Sequence, residues 1–69
     1  MANPKVSVII LNWNRKDDTV ETLKSLSRSS TTNYDLNIIV VDNGSTDGSI
    51  EAFNKITNIK FRLISLDTN

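Results

Sequence analysis

The sequence predicts an α/β fold with a three-stranded parallel sheet, in which strands and helices alternate in the order β-α-β-α-β. Aliphatic runs at residues 5–11, 36–41 and 59–66 are the candidate strands. Between these runs, apolar residues recur at steps of three, which is the spacing of one face of a helix. Strands that alternate with helices in this way favour parallel pairing through right-handed crossovers.

The first strand is predicted over Lys5–Leu11, after a short lead-in at residues 1–4. From Val8 onward its aliphatic residues follow one another without a polar break, which is typical of a strand buried on both faces. The strand ends at the segment Asn12-Trp13-Asn14-Arg15. It therefore brings two amide side chains and one indole to one edge of the sheet.

A helix is predicted next, with Asn14 or Asp17 as its N-cap. Acidic residues in its first turns and basic residues near its end match the direction of the helix dipole. Its apolar stripe consists of Val20, Leu23 and Leu26, with Thr19 and Ser27 beside it. The helix is expected to end within residues 27–33, which are rich in Ser and Thr and poor in helix formers.

The second strand is predicted over Leu36–Val41, and the polar loop Asp42–Gly48 follows it directly. A second helix comes after this loop, ends near residues 57–58 and carries the apolar stripe Ile50, Phe53 and Ile56. Its expected cap is one of three small polar residues, Ser45, Thr46 or Asp47. A buried strand that leads into a tight polar loop and a helix is a common way to build a ligand site.

The third strand is predicted over Ile59–Leu66, with a further polar loop beginning at residues 67–69. Ile59, Phe61 and Leu63 fall on one face of this strand, and Lys60, Arg62, Ile64 and Leu66 fall on the other. If both crossovers run in the same direction, both helices cover the same face of the sheet. The other face is then apolar and uncovered, so residues 1–69 are expected to be the amino-terminal part of a larger domain.

The composition excludes several classes of function. Eight basic residues balance eight acidic ones, so the formal net charge is zero and no nucleic-acid partner is expected. The chain has no cysteine and no histidine, which excludes disulfides, a histidine general base and an ordinary zinc site. No transmembrane segment and no signal peptide are expected, since the apolar runs are far shorter than ~20 residues. A cytoplasmic location is predicted, with membrane association only through missing parts.

Two motifs mark the ends of the first two predicted strands: V-S-V-I-I-L-N-W-N-R at residues 6–15 and I-V-V-D-N-G-S-T-D-G at residues 39–48. Together, at this spacing, they resemble the amino-terminal end of family 2 glycosyltransferases with the GT-A fold, and the likeness covers essentially the whole chain. The form of both motifs looks most similar to bacterial rhamnosyltransferase-type members. The resemblance implies half of a Rossmann-like GT-A domain that binds a nucleotide sugar.

The resemblance also implies which residues hold the ligand. By position, the base and ribose of a UDP- or dTDP-sugar would be held by Leu11, Asn12, Trp13, Asp42 and Asn43. Many relatives have an acidic pair where this chain has Asp42-Asn43, but the Asn43 amide still offers both a donor and an acceptor. A pyrimidine needs a flat apolar partner and a few directed hydrogen bonds. Trp13 supplies the flat apolar partner, and Asn12, Asp42 and Asn43 supply the hydrogen bonds. Gly44 lets the backbone turn close to the ligand.

For the complete family enzyme, the resemblance implies inverting transfer of the sugar to an acceptor hydroxyl, in cell-wall or polysaccharide biosynthesis. A carboxylate base would deprotonate the acceptor, and a divalent metal, Mg or Mn, held by a later Asp-x-Asp motif, would offset the diphosphate charge. Neither that motif nor a recognisable base lies in these residues. No catalytic residue, metal ligand or cofactor is therefore predicted in this chain, and it is not expected to catalyse transfer alone.

Plainer interpretations remain open. Asp42 would then only end its strand and accept hydrogen bonds from its loop, and Trp13 would be a packing residue. The alternative functions are a non-catalytic assembly module, which self-associates through the uncovered sheet face, and an unrelated flavodoxin-like half-domain. The expected partner on that face is the missing remainder of the domain or a second copy of the chain. A calcium loop is disfavoured, because Asn54 stands where a bidentate Glu is required.

Overall fold

The structure, a computed structural model, describes residues 4–28 and 34–66. Its elements are, in chain order, β1 (Lys5–Asn12), α1 (Lys16–Ser27), β2 (Asp35–Asn43), α2 (Ser49–Asn54) and β3 (Arg62–Leu66). Most of the predicted lead-in, most of the Ser- and Thr-rich segment and the predicted final loop, at residues 1–3, 29–33 and 67–69, lie outside the described residues.

The three strands form one parallel sheet in the order β1-β2-β3, which confirms the predicted fold class. β1 pairs with β2 along its whole length, from Lys5 opposite Asp35 to Asn12 opposite Asp42. β2 pairs with β3 from Ile39 to Asn43. This register places the ends of the first two strands side by side at one edge of the sheet.

The hydrophobic core lies between the sheet and both helices. Leu23 of α1, Phe53 of α2 and Val40 of β2 are almost completely buried, together with Ile38. Partly buried residues pack around them: Ile10, Val20, Leu26, Leu36, Ile56, Ile59, Phe61 and Leu63. Both helices therefore cover the same face of the sheet, as crossovers in one direction require.

The opposite face of the sheet is uncovered and mainly apolar, as predicted, and Arg62 also lies on it beside Ile39. This open face carries the apolar side chains that alternate with the core residues along the strands: Ile9, Leu11, Ile39, Val41, Ile64 and Leu66. Ile9 is 63% exposed and Leu11 is 79% exposed. A contiguous apolar surface usually marks an interface or a ligand groove. Neither of the described helices has the length and apolar character needed to cross a membrane.

Three predicted boundaries are wrong. β2 extends to Asn43 and not only to Val41, because Asp42 and Asn43 still pair with Ser65 and Leu66 of β3. α2 ends at Asn54 and not near residues 57–58, because the Lys55 and Ile56 N–H groups donate to carbonyls three residues earlier and tighten the last turn. β3 begins at Arg62 and not at Ile59, because the preceding residues pack against the core before the chain joins the sheet. The predicted alternation of faces along this segment is nevertheless confirmed, with Leu63 packed against the core and Leu66 exposed.

Candidate functional site

The candidate site lies where β1 and β2 end. Asn12 is opposite Asp42 in the sheet, so the loop after β1 (residues 13–15) lies against the loop after β2 (residues 44–48). The structure therefore brings the predicted site residues to one edge. It also divides them between the helix side and the open face, because successive residues of a strand point to opposite faces.

On the helix side, Asn12 is buried, and both its amide nitrogen and its amide oxygen form hydrogen bonds within the protein. Its side chain is 1% exposed, as is that of Asp42. Asn12 Nδ2 donates to Asp42 Oδ1 at 2.7 Å and to Ser45 Oγ at 3.1 Å. Asn12 Oδ1 accepts from Thr19 Oγ1 of α1 at 2.6 Å. The side chain thus links the end of β1 to the helix that follows and to the neighbouring loop.

Asp42 likewise uses both carboxylate oxygens within the protein. Besides the bond from Asn12, Oδ1 accepts from Ser45 Oγ at 2.6 Å, and Oδ2 accepts from the Ser45 N–H at 3.0 Å. Burial raises the pKa of Asp42, but the hydrogen bonds from Ser45 and Asn12 outweigh it and hold that pKa below its usual value. The carboxylate is therefore charged at neutral pH, and its observed contacts are those of a residue that organises its loop.

Leu11, Trp13 and Asn43 lie on the open side of the same edge. Leu11 is 79% exposed and Trp13 is 61% exposed, and Asn43 is exposed as well. Together with Asn12, Val41 and Leu66, these residues line a cleft of about 400 Å³, which we call the cup. Small-molecule sites occupy roughly 300–1,000 Å³ and are mostly apolar with a few polar groups. The cup has both properties.

A larger depression, of about 720 Å³, lies on the other side of Trp13. It is lined by Trp13, by Asp47 and by the residues that lead into α1, namely Asn14, Arg15, Lys16, Asp17 and Asp18. Arg15 and Asp18 pair across it with 3.4 Å between Nη1 and Oδ2, but both are exposed, so the pair adds little stability. Every residue that lines this depression apart from Trp13 is polar or charged, whereas the cup includes Leu11, Val41 and Leu66, so the cup is the better candidate for a base.

The two loops are tied together by hydrogen bonds beyond those of Asn12. The Asn14 N–H donates to Ser45 Oγ at 2.9 Å, and Asn14 Oδ1 accepts from the Thr46 N–H at 2.7 Å. Asn14 adopts a left-handed backbone with φ of 51°, a conformation that Asn tolerates better than most residues. Gly48, at the far end of the second loop, has φ of 84°, where a side chain would be strained.

The prediction that Asn14 or Asp17 caps α1 is wrong. The helix begins at Lys16, and the side chain of Arg15, which precedes it, makes no capping bond. Asp47 from the other loop replaces the local cap, because its Oδ2 accepts from the Lys16 N–H at 3.0 Å.

The prediction that Ser45, Thr46 or Asp47 is the N-cap of α2 is wrong, because Gly48 holds that position and has no side chain to make a capping bond. Asp47, one residue earlier, nevertheless contacts the beginning of this helix. Its Oδ1 accepts from the Ser49 N–H at 3.1 Å and from the Ser49 hydroxyl. The hydrogen bonds from Ser49 and from the Lys16 N–H hold the pKa of Asp47 below its usual value. A single carboxylate therefore organises the beginnings of both helices.

Sequence reasoning missed four residues of this site. Val41 and Leu66 line the cup, and strand alternation predicts their side of the sheet once the pairing register is known. Thr19 was assigned only to the helical stripe and Ser45 only to a helix cap, but both bond to the buried pair. The bond from Ser45 to Asp42 spans only three residues, which is the spacing of a local side-chain turn and was the available signal. The bond from Asn12 to Ser45 joins residues 33 apart, so no local pattern identifies it.

The chain was compared with known proteins at the level of family, of sequence and of structure. The family model described as Glycosyl transferase family 2 matches residues 7–69, which includes both loops, the cup and nearly every element of the fold. No curated protein and no solved structure matches the chain. Because the family match extends over most of its length, the chain belongs to glycosyl transferase family 2.

Proposed function

We propose that this chain is the nucleotide-sugar-binding portion of an inverting glycosyltransferase, which moves a sugar from a UDP- or dTDP-sugar to an acceptor hydroxyl. The cup carries the proposal: it joins an exposed indole to an apolar floor at the carboxyl ends of two parallel strands. Ligands of open parallel sheets bind at such ends. The family match supports a nucleotide-sugar donor in general.

In this proposal the exposed residues contact the nucleotide. Trp13 stacks on the base, Leu11 extends the apolar surface, and the Asn43 amide pairs with the polar edge of the ring. Asn12 and Asp42 support the site without touching the ligand, because direct side-chain contact with a ligand would break their bonds to Thr19 and Ser45. The two buried residues keep the strand ends together, and the three exposed residues recognise the ligand.

The reaction itself needs groups that we assign to residues outside this chain. In the transfer, the acceptor oxygen attacks the anomeric carbon, the nucleoside diphosphate leaves with the electron pair of the broken bond, and a base takes the acceptor proton. Within residues 4–28 and 34–66, no cluster of acidic side chains is arranged to hold a metal ion. The proposal therefore gives this chain binding and orientation only, in a larger GT-A domain of rhamnosyltransferase-like type that acts in the cytoplasm.

The stacking role of Trp13 predicts a large loss of affinity on truncation. Trp13→Ala is expected to weaken UDP binding by about 1–3 kcal/mol, the usual contribution of a base stacked on an aromatic side chain. Isothermal titration calorimetry with UDP and with dTDP measures this directly. Trp13→Tyr, which keeps a ring, is the matched control and is expected to retain most of the affinity. Equal affinities for the wild type and Trp13→Ala, or no heat from either nucleotide at millimolar concentration, would contradict the proposal.

The open face favours a second candidate function, a non-catalytic module that self-associates through this face. Ile9 on β1 and Ile64 on β3 are exposed there, with Ile39 and Val41 of β2 between them, and a second copy would remove this surface from water. This candidate predicts a dimer in sedimentation velocity that Ile9→Lys converts to a monomer. Glu21→Lys, on the exposed side of α1, is the control and leaves the dimer intact. A wild-type chain that stays monomeric at high micromolar concentration rules this candidate out.

A further inference from the structure

Three residues at or just after the end of β1 bond to the loop after β2. Asn12 Nδ2 and the Asn14 N–H donate to Ser45 Oγ, Asn14 Oδ1 accepts from the Thr46 N–H, and the Lys16 N–H donates to Asp47. Asn14 is exposed, as Trp13 is, and its positive φ ends the extended backbone of β1. As a consequence, Trp13 lies between two residues that are both anchored to the neighbouring loop.

We call this set of bonds the latch: Asn12, Asn14 and Lys16 on one side, with Asp42, Ser45, Thr46 and Asp47 on the other. Asn14 is its central member, because it is tied through both its backbone and its side chain. Trp13 is 61% exposed, so packing alone does little to fix its ring. The anchored backbone on either side of Trp13 fixes the direction of its Cα–Cβ bond, and so limits the positions that the indole can reach.

We propose that Asn14 is a positioning residue for the nucleotide and acts through Trp13. Its two bonds to the loop after β2 hold the backbone that carries the indole, so the ring stands at the rim of the cup before any ligand arrives. A site organised in advance loses less conformational entropy on binding than one that must be ordered by the ligand. The affinity part of this inference rests on the proposed function, whereas the ordering of Trp13 does not.

The test uses the whole chain and the fluorescence of Trp13, its only tryptophan. Asn14→Gly removes the side-chain bond to Thr46 but accepts the positive φ without strain. We expect faster depolarisation of Trp13 on the nanosecond scale and stronger acrylamide quenching without ligand, together with UDP binding that is about two- to tenfold weaker, as for one lost neutral hydrogen bond. Asn14→Asp keeps an acceptor oxygen and is expected to restore both properties.

Asn58→Gly is the matched control, since it makes the same substitution at an exposed position away from the latch. Unchanged Trp13 anisotropy and unchanged UDP affinity in Asn14→Gly would overturn the inference. If the wild type binds neither UDP nor dTDP, the proposed function fails, and the ligand-free anisotropy alone supports or overturns the latch. If Asn14→Gly loses its far-UV circular dichroism, Ser45→Ala takes its place. It removes the acceptor of the Asn14 N–H together with the Ser45 Oγ bonds to Asn12 and Asp42, and it keeps the Ser45 N–H bond to Asp42.

Discussion

Asp42→Ala is expected to remove most of the free energy of unfolding of the protein. The substitution leaves one N–H of the buried Asn12 amide, and the hydroxyl and N–H of the partly buried Ser45, without the acceptor that they have in the wild type. Orphaned buried donors cost roughly 1–3 kcal/mol each and do not add fully, so a loss of about 3–4 kcal/mol is expected. A domain of this size is stable by only about 5 kcal/mol. Urea unfolding followed by circular dichroism measures the change.

Asp35→Ala provides the matched control, because Asp35 lies at the other end of β2 and is exposed. Its loss is expected to stay within about 0.5 kcal/mol, as for most surface substitutions. Similar losses for the two variants would show that the buried carboxylate does not organise the loop. The same result would remove the physical basis for the latch, since Asp42 is one of its members.

The pH dependence of stability supplies a second measurement on Asp42. Its pKa in the folded protein lies below the unfolded value, so its contribution to stability is complete above the unfolded pKa of about 3.9. That contribution is lost as the pH falls through the folded pKa. Asp47 acts in the same direction. The wild type should therefore lose stability below about pH 4, and Asp42→Asn should lose less over the same range, with the share of Asp47 remaining.

The fold was predictable from the sequence because the signals were local and agreed with one another. The aliphatic residues from Val8 to Leu11 and from Ile38 to Val41 are too continuous for surface strands, and the intervening Val20, Leu23 and Leu26 repeat at a helical spacing. These patterns fix the parallel pairing, and parallel pairing places both strand ends at one edge. The caps were less predictable, because the carboxylate that accepts from Lys16 belongs to Asp47, 31 residues later.

The position of the candidate site in the fold was predictable from the sequence, but which of its residues are exposed and which are buried was not. Neighbouring residues such as Leu11 and Asn12 point to opposite faces, so one contiguous motif supplies both the exposed surface of the candidate site and its buried support. Sequence alone did not assign these roles, because the face of each residue depends on which side of the sheet the helices cover. Once the covered face is known, burial separates Asn12 and Asp42 from Leu11, Trp13 and Asn43.

The other large effect is expected from Phe53→Ala. Phe53 is 1% exposed and is the apolar residue with which the short helix α2 reaches the centre of the core. Truncation of a buried Phe costs about 3–5 kcal/mol through lost burial and the cavity that remains. A helix of only six residues has no stability of its own, so α2 depends on this contact. Urea unfolding is therefore expected to show that most of the domain's stability is lost while a folded state remains populated.

The location of the damage distinguishes a general core defect from a defect at the site. Because Asp47 bonds to Ser49 at the beginning of α2, release of this helix should also loosen the loop after β2, and native-state hydrogen exchange should rise first at residues 45–54. Phe61→Ala is the matched control: Phe61 is only partly buried and lies outside the regular elements, so a loss of about 1–2 kcal/mol is expected. Equal losses for both variants, or exchange that rises uniformly through β1 and β2, would show that α2 is not what holds the second loop in place.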